Sequence, residues 1–434
     1  MEKLGNIEAY ALDNGLNVHL FYTPTNTIFG RVRTKIGGLH EKKGEEGIAH
    51  FLEHVIINAG SKKYSPKEQK NIRASLGYTN ANTNRERTMF PAGMNSNQLE
   101  IYLDYASDMV FHPRLDPKGV NQERKRVLRE ISDYKGNSFF TDWKIFQDAL
   151  ARNSIHPYFV LGNEDVVNSV TPENLGKFHE RKYSTSNSDV ILVGGLPKNT
   201  KDLIAKYFEK KSPGKKTEIT YPKVTSLKKQ TFIHTSAKDL LRKDSPEKSN
   251  SDIYLGVVVP SEKSQTSPTI KVLNEILGVG STSRLHDKIS RELGLAYYIG
   301  SYYDGDDNFG NVVINGSIDN KGIDQAKKAI FEEIHKLKED RVSKKELADA
   351  KSRLKYRTSS SVDGAWKIIL GRDPLNIQKL SQLEKELDTE KSIKDELSEI
   401  DSVTLEEIQK AAQLYLPEKN GNYVFMVRDP LKES

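Results

Sequence analysis

The chain has 434 residues, enough for two or three domains, and its 36% hydrophobic and 29% charged side chains mark a globular protein with a well-solvated surface. The net charge of +6 is a small excess over 66 basic and 60 acidic residues, so it does not argue for a nucleic-acid partner. Cysteine is absent, which excludes disulfides, thiolate catalysis and cysteine-held zinc; any zinc must sit on His, Asp or Glu.

The first residues lack an apolar core of signal-peptide length, and no apolar run of about 18 residues occurs, so the sequence predicts a cytoplasmic protein without a membrane span. Residues 8–23 read as a hairpin, with Leu12-Asp13-Asn14-Gly15 as its turn and Val18 to Tyr22 as a strand. Residues 29–37 alternate apolar and polar as a half-buried strand does. A helix follows over about 46–58. Ser65-Pro66-Lys67-Glu68 opens the next one, with Ser65 as N-cap, Pro66 at the first position and Glu68 completing a capping box; Gly77 ends it. Residues 78–90 predict an extended segment, and asparagines there favour an edge position. Helices are expected from Asn97 to about Val110 and from Pro117 to about Tyr134. Thr171-Pro172-Glu173 starts another, and Asp189 to Gly195 is a short buried strand. The Lys-, Pro- and Gly-rich stretch from Lys211 to Lys229 reads as a linker, and 236–251 as a surface loop.

The second half repeats the first. Ser169-Val170-Thr171-Pro172-Glu173-Asn174-Leu175 resembles Ser402-Val403-Thr404-Leu405-Glu406-Glu407-Ile408, and the helix from Pro117 resembles the one from Ser343; both offsets are about 230 residues. This predicts a duplicated domain: 1–212, a linker at 213–229, and 230–434. The copies differ in their ionisable residues. Ala350 and Arg357 stand opposite Glu123 and Glu130, and no histidine lies between His234 and His286.

The chemistry centres on His50-Phe51-Leu52-Glu53-His54. On a helix, positions i and i+4 share a face and i+3 lies beside them. Two imidazoles can therefore grip one metal ion, with a carboxylate in reach of water; this order of residues is the inverted zincin pattern. Catalytic zinc commonly takes two histidines and a carboxylate, which makes Glu130 the candidate third ligand. Glu53 is then the general base and acid, and Glu123, two turns before Glu130, can orient a histidine. Taken alone, Glu123 and Glu130 could also be solvated glutamates paired with Arg124, Lys125, Arg126 and Arg129. The edge around Asn80-Ala81 can take an extended peptide as an added strand.

Several motifs, in order, carry a family resemblance. Gly38-Leu39-His40-Glu41 through His54, Asn80-Ala81-Asn82-Thr83, Glu123 and Glu130, His156-Pro157 with Leu161-Gly162, Ser283-Arg284-Leu285, and Gly294-Leu295-Ala296-Tyr297 resemble the pitrilysin or insulinase-type (M16) zinc peptidases. The likeness spans nearly the whole chain. It implies an α+β fold of two homologous α/β-sandwich domains, each an antiparallel-rich sheet with helices packed on it, forming half of a clamshell that a second chain closes. It further implies His50, His54 and Glu130 as zinc ligands, Glu53 as base, Glu123 as supporting acid, and Asn80 and Ala81 as substrate-binding. Tyr297 matches a tyrosine that assists catalysis, although a core aromatic at a strand start is the plain alternative. The arginine expected seven residues earlier is replaced by Ser290, with Arg291 one step on as its substitute. The expected activity is a zinc endopeptidase acting on unfolded peptides. A subunit active only beside an inactive homologue, as homodimer or heterodimer, and a non-catalytic scaffold of the same fold are the alternatives.

Overall fold

A computed structural model describes residues 7–150, 160–217, 227, 229–240, 249–305, 309–369 and 393–430. His156-Pro157, part of the expected linker and half of the 236–251 loop lie outside them. The strands of the first half are β1 (Ile7–Ala11), β2 (Asn17–Tyr22), β3 (Thr27–Thr34), β4 (Tyr78–Thr79), β5 (Asn82–Thr83), β6 (Thr88–Asn95) and β7 (Ser188–Gly194). They form one sheet in the order β1-β2-β7-β3-β6-β4, with β5 beside β4 on β6. Only β2 and β7 pair in parallel. The helices are α1 (Ile48–Asn58), α2 (Pro66–Ser75), α3 (Leu99–Phe111), α4 (Pro117–Gly136), α5 (Ser138–Leu150), α6 (Glu164–Ser169), α7 (Pro172–Lys182) and α8 (Thr200–Phe208).

The extended segment expected at 78–90 is broken. β4 and β5 are two residues each, and Asn80-Ala81 joins them at the sheet edge, where the Asn80 N–H turns inward to the Pro91 carbonyl (3.1 Å). The capping box of α2 forms as expected: the Glu68 amide donates to Ser65 Oγ (3.3 Å) and the Ser65 amide to Glu68 Oε2 (2.7 Å).

In the second half lie β8 (Thr231–Ser236), β9 (Asn250–Val259), β10 (Ala296–Gly305), β11 (Gly310–Asp319) and β12 (Val424–Asp429). Its helices are α9 (Ser267–Gly278), α10 (Ile323–Glu339), α11 (Lys344–Ile369), α12 (Ile393–Ser402) and α13 (Leu405–Tyr415), with a π-helical turn at His286–Glu292. The sheet order is β10-β11-β9-β12-β8, and only β8 and β12 are parallel. The run β8-β12-β9-β11 thus repeats β2-β7-β3-β6, in order and in direction, as a duplicated fold requires.

Contacts divide the described residues into two compact units. The first takes the elements up to α4 and from α6 to α8. The second takes α5, β8 to α10, most of α11, and α12 to β12. Helix α5 therefore departs from the 1–212 division expected above. Its Phe146 and Leu150 are buried with Tyr254, Val313, Val424 and Met426 on one face of the second sheet. Side chains alternate along a strand, so Phe425 and Val427 of β12 point to the other face, in the core with Ile330 of α10 and Ile408 of α13. Arg428 ties α5 to this sheet, donating to Asp142 Oδ2 and Asp252 Oδ2 at 2.7 Å each. The core of the first unit sets α1: Phe51, Leu52, Val55 and Ile56 are fully buried with Leu20, Val32 and Leu192. Each such side chain contributes about 1.5–3 kcal/mol by leaving water, which anchors the helix over the sheet.

Candidate metal centre

Helix α1 starts at a tight seam. Gly47, its N-cap, has φ +95°, and its backbone passes against that of Gly162, which has φ +80°. A Cβ on Gly162 would stand 2.3 Å from both the Glu46 carbonyl oxygen and Gly47 Cα, so only glycine fits. Glu41 caps the same end. Its two carboxylate oxygens accept the Gly47 and Ala49 amides, each at 2.9 Å. An anion is favourable at the positive end of a helix dipole, although burial pushes this carboxyl up to about 8.

With α1 fixed, His50 and Glu53 are buried and His54 is half-buried. Helix α4 packs beside α1 and brings Glu130 over the histidine pair. His50 Nε2 lies 3.7 Å and His54 Nε2 3.4 Å from Glu130 Oε2, and the two rings meet edge to face at 4.7 Å. One ligand atom from each of the three residues lies within 4.8 Å of the others. Two imidazole nitrogens and a carboxylate are the donor set that suits zinc with a position left open. The buried Nδ1 of His50 has no hydrogen-bond partner among the described residues, while its Nε2 faces the cluster. The three residues therefore fit a zinc ion.

The electrostatics divide the two histidines. Burial, then the neighbouring His54, holds His50 down to about 4, so its ring is neutral with a free lone pair. Burial also opposes charge on His54, but the carboxylates of Glu123 and Glu130 outweigh it and raise His54 to about 9. The hydrogen bond from His54 holds Glu130 below the usual carboxylate range. Glu53 is pushed up by burial, opposed by a 2.7 Å hydrogen bond from the Thr83 hydroxyl to its Oε2.

Glu123 is buried behind His54, its Oε2 3.7 Å from His54 Nδ1. Arg126 donates to its Oε1 (2.8 Å) and Asn58 to its Oε2 (3.0 Å). Of the arginines expected to partner the glutamates, Arg124 turns away and donates to the carbonyls of Asn168 (3.1 Å) and Val170 (2.7 Å), stopping α6.

Asn80 and Ala81 lie on the sheet edge that begins next to Thr83. Tyr297 and Arg291 belong to the second unit. Tyr297 is 95% exposed, which sets aside the core-aromatic alternative: a register shift between Ala296 and Tyr298 in β10 marks a bulge that turns it outward. Arg291 is exposed on the π-helical turn and donates to Asp287 Oδ1 at 2.7 Å. In the second unit, α9 and α11 occupy the places of α1 and α4. Between them Glu275 is buried and forms ion pairs with Arg353 (3.7 Å) and with Arg357, which stands opposite Glu130 in the repeat. The second copy has an ion pair there.

The sequence places Thr83 in a motif but does not show its bond to Glu53, and it does not point to Asn58 or Arg73. A periodic signal for Asn58 was present, since it continues the face of His50 and His54 at the next i+4 step. Nothing local to Thr83 shows that its hydroxyl reaches Glu53.

The family model described as insulinase (peptidase family M16) matches residues 22–153, and that of the peptidase M16 inactive domain matches residues 169–354. The chain belongs to peptidase family M16. It is 27% identical over 410 residues to the uncharacterized zinc protease YmxG of Bacillus subtilis, covering 94% of this chain and 95% of that one. Its fold resembles that of a protease from Helicobacter pylori (TM-score 0.78, 21% identity, 99% of this chain and 100% of that one). It also resembles the first half of the periplasmic protease PqqL from Escherichia coli (TM-score 0.79, 18% identity, 98% of this chain and 92% of that one). Among the described residues, no helix is long and apolar enough to cross a membrane.

Proposed function

We propose that this chain is a zinc-dependent endopeptidase that hydrolyses peptides bound as an added strand along the Asn80–Thr83 edge. The observation that carries this reading is the convergence of His50, His54 and Glu130 with Glu53 pinned alongside. Zinc held there supplies a Lewis acid that polarises the scissile carbonyl and acidifies water. His50, His54 and Glu130 would hold the ion, and Glu123 would keep His54 in place. Glu53 uses the oxygen not held by Thr83. It takes a proton from the attacking water as the hydroxyl adds to the carbonyl carbon. It then gives that proton to the amide nitrogen as the C–N bond breaks. An edge that pairs with peptide backbone reads chain extension more than side chains, which suits unfolded substrates of loose sequence.

A second reading is favoured by Arg291. Its guanidinium is engaged by Asp287, and Ser290 occupies the position where the family resemblance expects an arginine. In that reading the chain cleaves only when a homologous partner supplies the missing group. The test is cleavage of a quenched, unstructured peptide by the purified, zinc-loaded chain, with and without a chelator. Chelator-sensitive cleavage abolished by Glu53→Gln supports the peptidase. Zinc binding without cleavage supports the obligate partner, and failure to bind zinc refutes both.

A further inference from the structure

Behind Glu123 lies a layer that the proposed chemistry does not use. Residues 50, 54 and 58 follow one another at i+4 on α1, so Asn58 lies on the face of the two histidines, one turn further on. Its amide Nδ2 donates to Glu123 Oε2 at 3.0 Å, the same oxygen that faces His54 Nδ1 at 3.7 Å. Its amide oxygen accepts from Arg73 Nη2 of α2 at 3.4 Å. Arg73 is itself held, donating through Nη1 to the Ile57 carbonyl and to the Tyr105 hydroxyl (3.3 Å).

These contacts fix which way the Asn58 amide points. Its oxygen meets a cation and its NH₂ meets a carboxylate. The flipped amide would put oxygen against oxygen and NH₂ against guanidinium, both repulsive. Glu123 is then gripped from two sides. Arg126, whose side chain is 61% exposed, pulls Oε1 towards solvent, and Asn58 holds Oε2 inward beside His54. Without the inward hold, the Arg126 pair is free to swing Glu123 outward. His54 would lose the carboxylate charge that faces its Nδ1 at 3.7 Å and favours the proton there, with the lone pair on Nε2.

We propose that Asn58, oriented by Arg73, is a positioning residue of the metal centre that holds Glu123 against His54. The inference rests on the zinc reading of His50, His54 and Glu130 but not on peptidase activity, so its readout is zinc affinity. The experiment measures the zinc dissociation constant by competition with a chromophoric chelator, with thermal midpoints in parallel. The chains are wild type, Asn58→Leu, Asn58→Ala, Arg73→Met and Asn58→Leu/Arg73→Met. Glu68→Ala, which breaks the α2 capping box away from the site, is the control for destabilisation alone. Loss of such an outer partner typically weakens metal binding about ten- to a hundredfold. That loss is expected for both Asn58 variants, with a smaller one for Arg73→Met. Because Arg73 acts through Asn58, the double variant should match Asn58→Leu. Glu68→Ala should melt lower yet bind zinc as the wild type does. Wild-type affinity in both Asn58 variants overturns the proposal, as does a wild type that binds no zinc. Additive losses in the double variant overturn the route through Arg73. A wild type that binds zinc but cleaves nothing counts against the peptidase reading alone, and the affinity comparison still decides the role of Asn58.

Discussion

Thr83→Val is the sharpest perturbation of the proposed base. The threonine is buried on β5, and its hydroxyl donates to Glu53 Oε2 at 2.7 Å. Valine keeps the branched shape and removes only that donor. A hydrogen bond to a charged group contributes about 1.5–3 kcal/mol, and each 1.36 kcal/mol is tenfold in rate. If Glu53 must be held for proton transfer, kcat falls about ten- to a hundredfold. KM should stay unchanged, because peptide pairing along the edge uses backbone. Stability should fall by about 1–3 kcal/mol, because Glu53 Oε2 is left a buried acceptor without that donor. Thr88, 3.3 Å from the Thr83 hydroxyl, already donates to the Ile36 carbonyl at 2.9 Å, so no buried donor is orphaned. Zinc affinity should not move, since no ligand is touched. Thr83→Ser restores the donor and most of the rate. The assay is steady-state cleavage of a quenched peptide by zinc-loaded protein, with zinc content and thermal midpoint measured on the same samples. A kcat within twofold of wild type refutes the reasoning, as does a kcat loss matched by an equal loss of bound zinc.

Two further outcomes follow from the frame around the site. Gly162→Ala forces a left-handed residue to carry a Cβ that overlaps the Glu46 carbonyl and Gly47 Cα, so the start of α1 must shift. A left-handed non-glycine costs about 1–2 kcal/mol and overpacking about 1–3 kcal/mol, and the variant should show a lower urea midpoint and weaker zinc binding together. His179 is buried, its Nε2 2.9 Å from the Val110 carbonyl, and burial depresses its pKa to about 4. A histidine depressed in the folded state gives stability that is complete above about 6.5 and is lost as pH falls towards 4. At 1.36 kcal/mol per unit this amounts to about 3 kcal/mol, and denaturant titrations across that window should show His179→Gln losing less stability on acidification than the wild type.

The resemblance to a peptidase family and the shared helix face of His50, Glu53 and His54 were legible from short motifs. Helix geometry alone puts positions four apart on one face, whatever surrounds them. The α2 capping box was legible for the same reason, since Ser65 and Glu68 satisfy each other within one turn. The duplication was visible as two offsets, and the shared strand order of the two sheets agrees with it. Less local features were not legible. Helix α5 follows α4 in sequence but buries Phe146 in the second sheet, a choice made by the face available to cover.

Sequence by itself thus determined the donor set: two histidines and a neighbouring carboxylate on one helix, with candidate acids on another, in a chain without cysteine. Only the tertiary structure decided how those donors meet. Glu130 lies far along the chain from His54 and reaches it because α4 packs on α1. Thr83, Asn58 and Arg73 take their roles from hydrogen bonds between separate elements, although periodicity puts Asn58 on the histidine face. The second unit makes the same point in reverse, for there α9 and α11 bring Glu275 to Arg357 and yield an ion pair. Packing fixes which positions face each other, and the residues placed there decide whether the meeting point is a candidate metal centre or a salt bridge.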